Sequence, residues 1–171
     1  MVGITQQALR EALRYEPDTG RFYWRKAGGR KRVNEPAGSL AKNGYVMMGV
    51  GGKSFWAHRL AWIYVYGENP AGDIDHINRD RADNRIENLR LATRNMNNGN
   101  TGVWKTNTSG YRGVSWEKAK QKYECYIWKL DRKQHLGYFD CPVNAALRYN
   151  LEAKEYFGEY ATLNRIDNVK V

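Results

Sequence analysis

Residues 98–110, NGNTGVWKTNTSG, are rich in Gly, Asn, Thr and Ser and carry no sustained hydrophobic periodicity. Such a stretch reads as a linker. It divides the 171 residues into two modules, each with room for only a small core. The expected organisation is a first domain over residues 1–97, with its core in 57–98, the linker 98–110, and a second domain over 111–171.

Hydrophobic residues make up 42% of the chain and aromatics 13%, which supplies two small cores and argues against wholesale disorder. The 28 Lys and Arg outnumber the 18 Asp and Glu, for a net charge of +10. The surplus is spread over both parts, +6 through Asn98 and +4 beyond it. That spread suits two modules touching one polyanion, because each phosphate neutralised by a cation releases counterions. Trp104 and Lys105 are unusual in a passive spacer. Either this basic-aromatic segment lies along a nucleic-acid groove, or the indole pins the linker to a neighbouring domain.

No apolar run approaches the roughly 20 residues that span a bilayer, and the N-terminus lacks the apolar stretch of a secretory signal. It reads instead as an amphipathic helix capped by Thr5, with Ala8, Leu9, Ala12 and Leu13 on one side. Cys125 and Cys141 form no C-x-x-C pair, which disfavours a Cys-rich zinc site and fits a reduced, cytoplasmic setting.

GRFYWR and GYVMMGVGGKSFWAH read as strands, with Gly51-Gly52 as a hairpin turn. HRLAWIYVYG reads as a short helix with Leu60, Ala61, Tyr64 and Val65 on one face and Gly67 as its stop. Beyond the linker, YRGVSWEKAKQKYECYIWKLDRKQHLGYFD reads as a three-stranded meander turning at 131–133. A final helix, VNAALRYNLEAKEYFG, ends at Gly158. Three strands and one packed helix form about the smallest self-supporting unit.

The chemistry concentrates in DIDHINRDRADNRIENLRLATRNMNNGN, residues 73–100. Ile74-Asp75-His76 ends a strand, a loop of turn formers follows, and Asn88 to Ala92 returns as a second strand. Thr93 is placed to cap a helix carrying Asn95, Asn97 and Asn98. The order is strand, loop, strand, helix, which allows the end of the first strand and the first helical turn to face one metal ion.

This string resembles the HNH endonuclease family, in particular free-standing and intron-encoded phage enzymes with a ββα-metal core. The resemblance is strong over 73–98 and looser over 5–72, through L-x-Y-x-P-x-T-G-x-F-x-W and H-R-L-A-W. It implies that His76 is the first motif His, Asn88 the central Asn that orients it, and Asn97 the last position. Asp75 matches the acidic residue that precedes the first His. The implied function is divalent-metal-dependent hydrolysis of DNA phosphodiester bonds, with one strand nicked by a monomer. His76 and Asn88 are then the catalytic pair, and Asp75 and Asn97 the ligands of one Mg²⁺ or Mn²⁺.

Those residue types suit the task. Imidazole titrates near neutrality and can take a proton from water. A carboxylate and an amide carbonyl are hard oxygen donors that leave sites for phosphate and water. Asn84 in DNR is expected to stabilise the loop, with contact to the active site as its alternative, and His58 to be a hydrogen-bonded residue at a helix start, with a phosphate contact as its alternative. Arg30, Lys31 and Arg32 in a glycine-containing loop, and Arg85, Arg90 and Arg94 around the motif, are candidate phosphate contacts.

Residues 111–164, with YRGV and LGYF, resemble the DNA-binding domain of plant Apetala-type ethylene-response factors, in which a three-stranded sheet enters the major groove. If Cys125 and Ile127 face the helix, then Glu124, Tyr126 and Trp128 face outward. The resemblance implies DNA contacts at Arg112, Tyr126, Trp128, Lys133 and His135, while Trp116 and Tyr123 are expected in the core. Ser115 and Trp128 replace the plant domains' Arg, and His135 their Trp, so the recognised sequence is not transferable. The expected partner is double-stranded DNA, with no membrane and no small-molecule cofactor. The expected fold is α+β: an HNH core with N-terminal strands and helix, joined to a three-stranded antiparallel sheet with one helix.

Overall fold

In the computed structural model, which describes residues 3–29 and 31–166, Thr5 Oγ1 accepts from the Ala8 N–H and starts α1 (Gln6–Ala12). The helix stops one residue earlier than its apolar pattern suggests. Leu13 turns extended and opens β1 (Leu13–Glu16). Leu13 is still fully buried beside Leu9, so an apolar residue at a helix-to-strand junction serves the same core in either conformation.

β1 pairs antiparallel with β2 (Arg21–Trp24), which in turn pairs with the two-residue β3 (Pro36–Ala37). A second sheet runs β4 (Ser39–Leu40), β5 (Val46–Val50), β6 (Lys53–Trp56), and its last hairpin closes at Gly51-Gly52. β6 leads into α2 (Ala57–Tyr66), which ends where the Gly67 N–H bonds Ile63 O at 2.9 Å. The buried face of α2 is Ala57, His58, Leu60, Ala61 and Ile63. Val65 points outward, because the stripe follows the 3.6-residue period back from Ala61 to Ala57 rather than forward to Val65. A two-stranded sheet of β7 (Asp73–His76) and β8 (Leu89–Ala92) completes the first unit, with Ile74 and Leu89 in the core of Leu9, Leu13, Tyr15, Phe22 and Leu60.

The chain divides into two compact units, Met1–Thr93 and Arg94–Val171. α3 (Arg94–Gly99) therefore falls in the second unit, as does the 98–110 stretch. That stretch is tied down by polar bonds: Asn107 Nδ2 donates to Tyr111 O and Val114 O, both at 3.0 Å.

The sheet of the second unit has the order β11 (Arg132–Phe139), β10 (Lys122–Lys129), β9 (Val114–Glu117), all antiparallel. α4 (Pro142–Phe157) follows it and buries Ala145, Ala146, Tyr149, Ala153 and Phe157 against Val114, Cys125 and Ile127. The β10–β11 turn lies at Leu130-Asp131, both left-handed, and Arg132 and Lys133 are already in β11. Trp116 is 40% exposed rather than core, on the edge strand, with Tyr123 packed edge-on against it at 4.8 Å. The result is mixed α+β, with several small antiparallel sheets and four α-helices among the described residues.

Gly113 carries a strict steric demand. Its φ is +72°, and a Cβ there would lie 2.5 Å from Tyr126 O and overlap the Tyr149 ring, the largest fully buried side chain. Gly113→Ala combines left-handed strain with overpacking, so it is expected to cost about 3 kcal/mol or more. A urea unfolding curve read as the shift in midpoint measures this.

Candidate active site

Three consecutive residues of β7, Ile74, Asp75 and His76, are buried. The loop after them folds by side chain-to-backbone turns. Asn78 Oδ1 accepts from Asp80 N at 2.8 Å, Asp80 Oδ1 from Ala82 N at 2.9 Å, and Asp83 Oδ1 from Arg85 N at 3.3 Å. This is the local preference of Asn and Asp, which offer the backbone a partner two residues on.

Asn88 closes the loop. Its Oδ1 accepts from Asn78 N at 2.9 Å, and its Nδ2 donates to Asn78 Oδ1 at 3.0 Å and Asp83 O at 2.9 Å. The side chain that meets the imidazole is Asn84, with Oδ1 3.3 Å from His76 Nε2. Asn84 Nδ2 is committed to Ala82 O at 3.0 Å, which turns its carbonyl oxygen to the ring. His76 Nε2 then carries the hydrogen, and Nδ1 is the basic nitrogen. Asn84 is itself fixed twice. Its carbonyl accepts from Tyr15 OH at 2.7 Å, and Gly20, at φ +69°, lets another backbone approach where a Cβ would sit 2.5 Å from the Asn84 carbonyl carbon.

Burial lowers the pKa of His76, against the opposing pull of Asn84 and the nearby Asp75, and so favours the neutral ring. A second imidazole stands beside it. His58 meets His76 edge-on at 5.2 Å between centroids, and Tyr45 contacts both rings at 5.2 and 5.8 Å. His58 is at the helix start but is not the hydrogen-bonded residue expected from sequence: its Nδ1 is buried without a partner among the described residues. Burial, with His76 and Arg59 nearby, brings its pKa down to about 3.

Asp75 lies opposite Arg90 in the β7–β8 register, and Arg90 Nε and Nη2 donate to Asp75 Oδ2 at 2.9 and 2.8 Å. Both side chains are largely buried, and each neutralises the other in a place where an unpaired charge is costly. Arg85 holds Asp83 through bonds of 2.9 and 2.7 Å and Glu87 through one of 2.8 Å, and its guanidinium keeps the Asp83 carboxyl down at about 2. Arg94 is exposed at the start of α3, and half-buried Asn97 lies further along that helix, in the second unit. Among the described residues no group of three His, Cys, Asp or Glu could hold a metal ion. The one anionic oxygen donor beside His76 in the strand is Asp75. Its hard carboxylate fits Mg²⁺ or Mn²⁺, and an ion there would share it with Arg90.

Lys31 sits 3.9 Å over the Trp24 ring and donates to Gly49 O at 3.4 Å, and Arg32 is exposed, loosely paired with Glu35 at 3.9 Å. Arg30 lies outside the described residues. In the second unit the register sets Tyr126 opposite His135 and Trp128 opposite Lys133, while Cys125 and Ile127 are buried toward α4. Four of the five candidate DNA contacts of this module thus share the outer face of the sheet. Glu124 joins them, accepting from Lys133 at 2.8 Å and lying 3.3 Å from His135 Nδ1. Arg112 is elsewhere: its guanidinium holds Gly99 O and Asn98 O at the end of α3.

Residues 55–98, from β6 through the Asp75-His76 strand and Asn88 to α3, match the HNH endonuclease family. The match supports the HNH family for this chain. Among named relatives, an uncharacterized HNH endonuclease of Acanthamoeba polyphaga mimivirus is 32% identical over 130 residues, 75% of this chain and 66% of the relative. Protein 3.8 of Escherichia phage T7 is 35% identical over 79 residues, 46% of this chain and 64% of the relative. The chain thus spans just under two thirds of the length of each. No solved structure matches.

The buried imidazoles set a pH dependence. Below about 6.5 the unfolded chain protonates His58, but the folded chain refuses that proton until about 3. Stability from this group is therefore full above 6.5 and falls as the pH drops toward 3, at up to about 1.4 kcal/mol per pH unit. His76 adds in the same direction. Denaturant midpoints between pH 7 and pH 4 are expected to fall less steeply in His58→Leu than in the wild type.

Proposed function

We propose that this chain is a divalent-metal-dependent DNA endonuclease that nicks one strand, its target read partly by the sheet of the second unit. The observation that carries the reading is His76. It is a buried, neutral imidazole whose Nε2 is committed to Asn84, placed next to Asp75 inside a segment that matches the HNH family.

In this reading His76 Nδ1 takes the proton of the attacking water, and the neutral ring is ready to do so at physiological pH. Asn84 fixes the tautomer and the ring, and Asn88 holds the loop that presents Asn84. Asp75 is the carboxylate ligand of the ion, Mg²⁺ or Mn²⁺, with Asn97 as a second donor on the strength of the family pattern alone. When bound, the ion supplies Lewis-acid stabilisation of the phosphate and of the departing 3′ oxygen. Arg90 holds the Asp75 carboxylate in place. The net charge of +10 supports a polyanionic partner. One His76 per chain supports cleavage of a single strand. Tyr126, Trp128, Lys133 and His135 form the proposed reading face, in line with the Apetala-type resemblance of residues 111–164.

A second reading, a DNA-binding protein without cleavage, draws on the engagement of Asp75 by Arg90. Supercoiled plasmid incubated with Mg²⁺ or Mn²⁺ separates the two. Wild type is expected to yield nicked circles, and His76→Ala to slow this by about 10²–10⁴-fold, the usual worth of general-base catalysis, while DNA binding is retained. Plasmid left intact by both proteins, with binding demonstrated, would favour the non-cleaving reading. Direct accumulation of linear product would overturn single-strand nicking.

A further inference from the structure

β10 outruns its neighbour β9. The two strands pair only from Lys122 to Cys125, and beyond Tyr126 that edge of β10 borders the stretch that follows α3. A cavity of about 330 Å³ opens there, lined by Trp104, Trp128, Tyr126, Arg112, Asn98 and Asp131 among others. Trp104 is 78% exposed and Trp128 53%, so two indoles that would ordinarily be covered both border one concavity. Among the described residues, neither the Asn98 amide nor the Asp131 carboxylate has a hydrogen-bond or ion-pair partner. The Arg112 guanidinium is a fixed wall, held by the carbonyls of Asn98 and Gly99.

We propose that this cavity binds a single unpaired nucleobase of DNA, preferring one with an exocyclic amino group to thymine. The inference rests on the DNA-partner reading above and adds a site to it. A base is flat, and indole faces give it stacking surface regardless of sequence. A carboxylate and an amide at the rim match the edge of such a base, since Asp131 accepts from an amino group and Asn98 both donates and accepts. A free carboxylate would repel a phosphate placed in the cavity, so the backbone stays outside. Lys105 and Arg132, each adjacent in sequence to a lining residue, supply cations for it there. The volume admits a base, and a base inside a duplex is covered on both faces by its stacked neighbours, so it has to leave its helix or come from a single strand to meet the indoles.

The test uses the full chain in EDTA, to prevent cleavage, with a perfect duplex and the same duplex carrying one bulged A, C, G or T. Binding is followed by tryptophan quenching and by titration. The A, C and G bulges are expected to bind about 10-fold or more tighter than the perfect duplex, the scale of base–indole stacking. Trp104→Ala should erase that preference while perfect-duplex binding persists, and Trp104→Phe, which keeps a ring, should retain most of it. Asp131→Ala should remove the discrimination against thymine. Equal affinity for bulged and perfect duplexes in the wild type overturns the proposal, as does a Trp104→Ala variant that weakens both alike. Failure to bind any of these DNAs overturns the DNA-partner reading and this site with it.

Discussion

The side-chain amide of Asn88 makes three hydrogen bonds, all to the loop between β7 and β8. In a two-stranded sheet with a twelve-residue connection, 77–88, and few apolar side chains, little else fixes the path of the chain. The loop adopts a left-handed Arg79 and three successive Asx turns, conformations that a flexible polar segment samples only briefly when unsupported. Fixing residues 78 and 83 places residue 84 over the His76 ring, and Tyr15 and Gly20 fix the Asn84 backbone from the other side. The His76 imidazole thus depends on Asn88, which never touches it.

Much of this was legible in the sequence because it is local. The strand ending in Asp75-His76, the turn formers after it, the Gly51-Gly52 hairpin and the Thr5 cap each follow from residues within four positions of one another. The alternation of β10 likewise separates Cys125 and Ile127 from Tyr126 and Trp128. What escaped depends on three-dimensional return of the chain. Asn84 looked like a turn residue because its contact with His76 exists only after the loop closes. Arg90 and Arg112 looked like free cations because their partners, Asp75 through a strand register and the α3 carbonyls across 13 residues, leave no mark in local pattern. The β10–β11 turn was misplaced because Leu130 takes a left-handed conformation that its side chain disfavours.

Burial is met in two ways in the first unit. Arg90 meets the Asp75 carboxylate with two donors. The two imidazoles respond to burial by favouring the neutral ring, His58 most strongly. An unpartnered His58 Nδ1 costs stability that an aliphatic side chain of similar size would not, on the order of 1–3 kcal/mol for a buried polar atom. Its place against His76 and Tyr45 gives the His76 ring an uncharged neighbour that does not compete with it for a proton.

Counting charges overstates what the surface offers a polyanion. Arg85 is engaged by Asp83 and Glu87, Arg90 by Asp75, and Arg112 by backbone carbonyls, so three of the expected DNA contacts have partners within the protein. Lys133 is shared between Glu124 and the Tyr126 ring. Only cations that displace counterions on binding contribute to salt-dependent affinity, so exposed Arg94, and Arg32 with its loose Glu35 pair, weigh more than the net charge implies. In the proposed reading, aromatic and amide groups then carry a larger share of recognition by the second unit than a basic composition suggests. The exposed indoles of Trp104 and Trp128 stand where that share would be exerted.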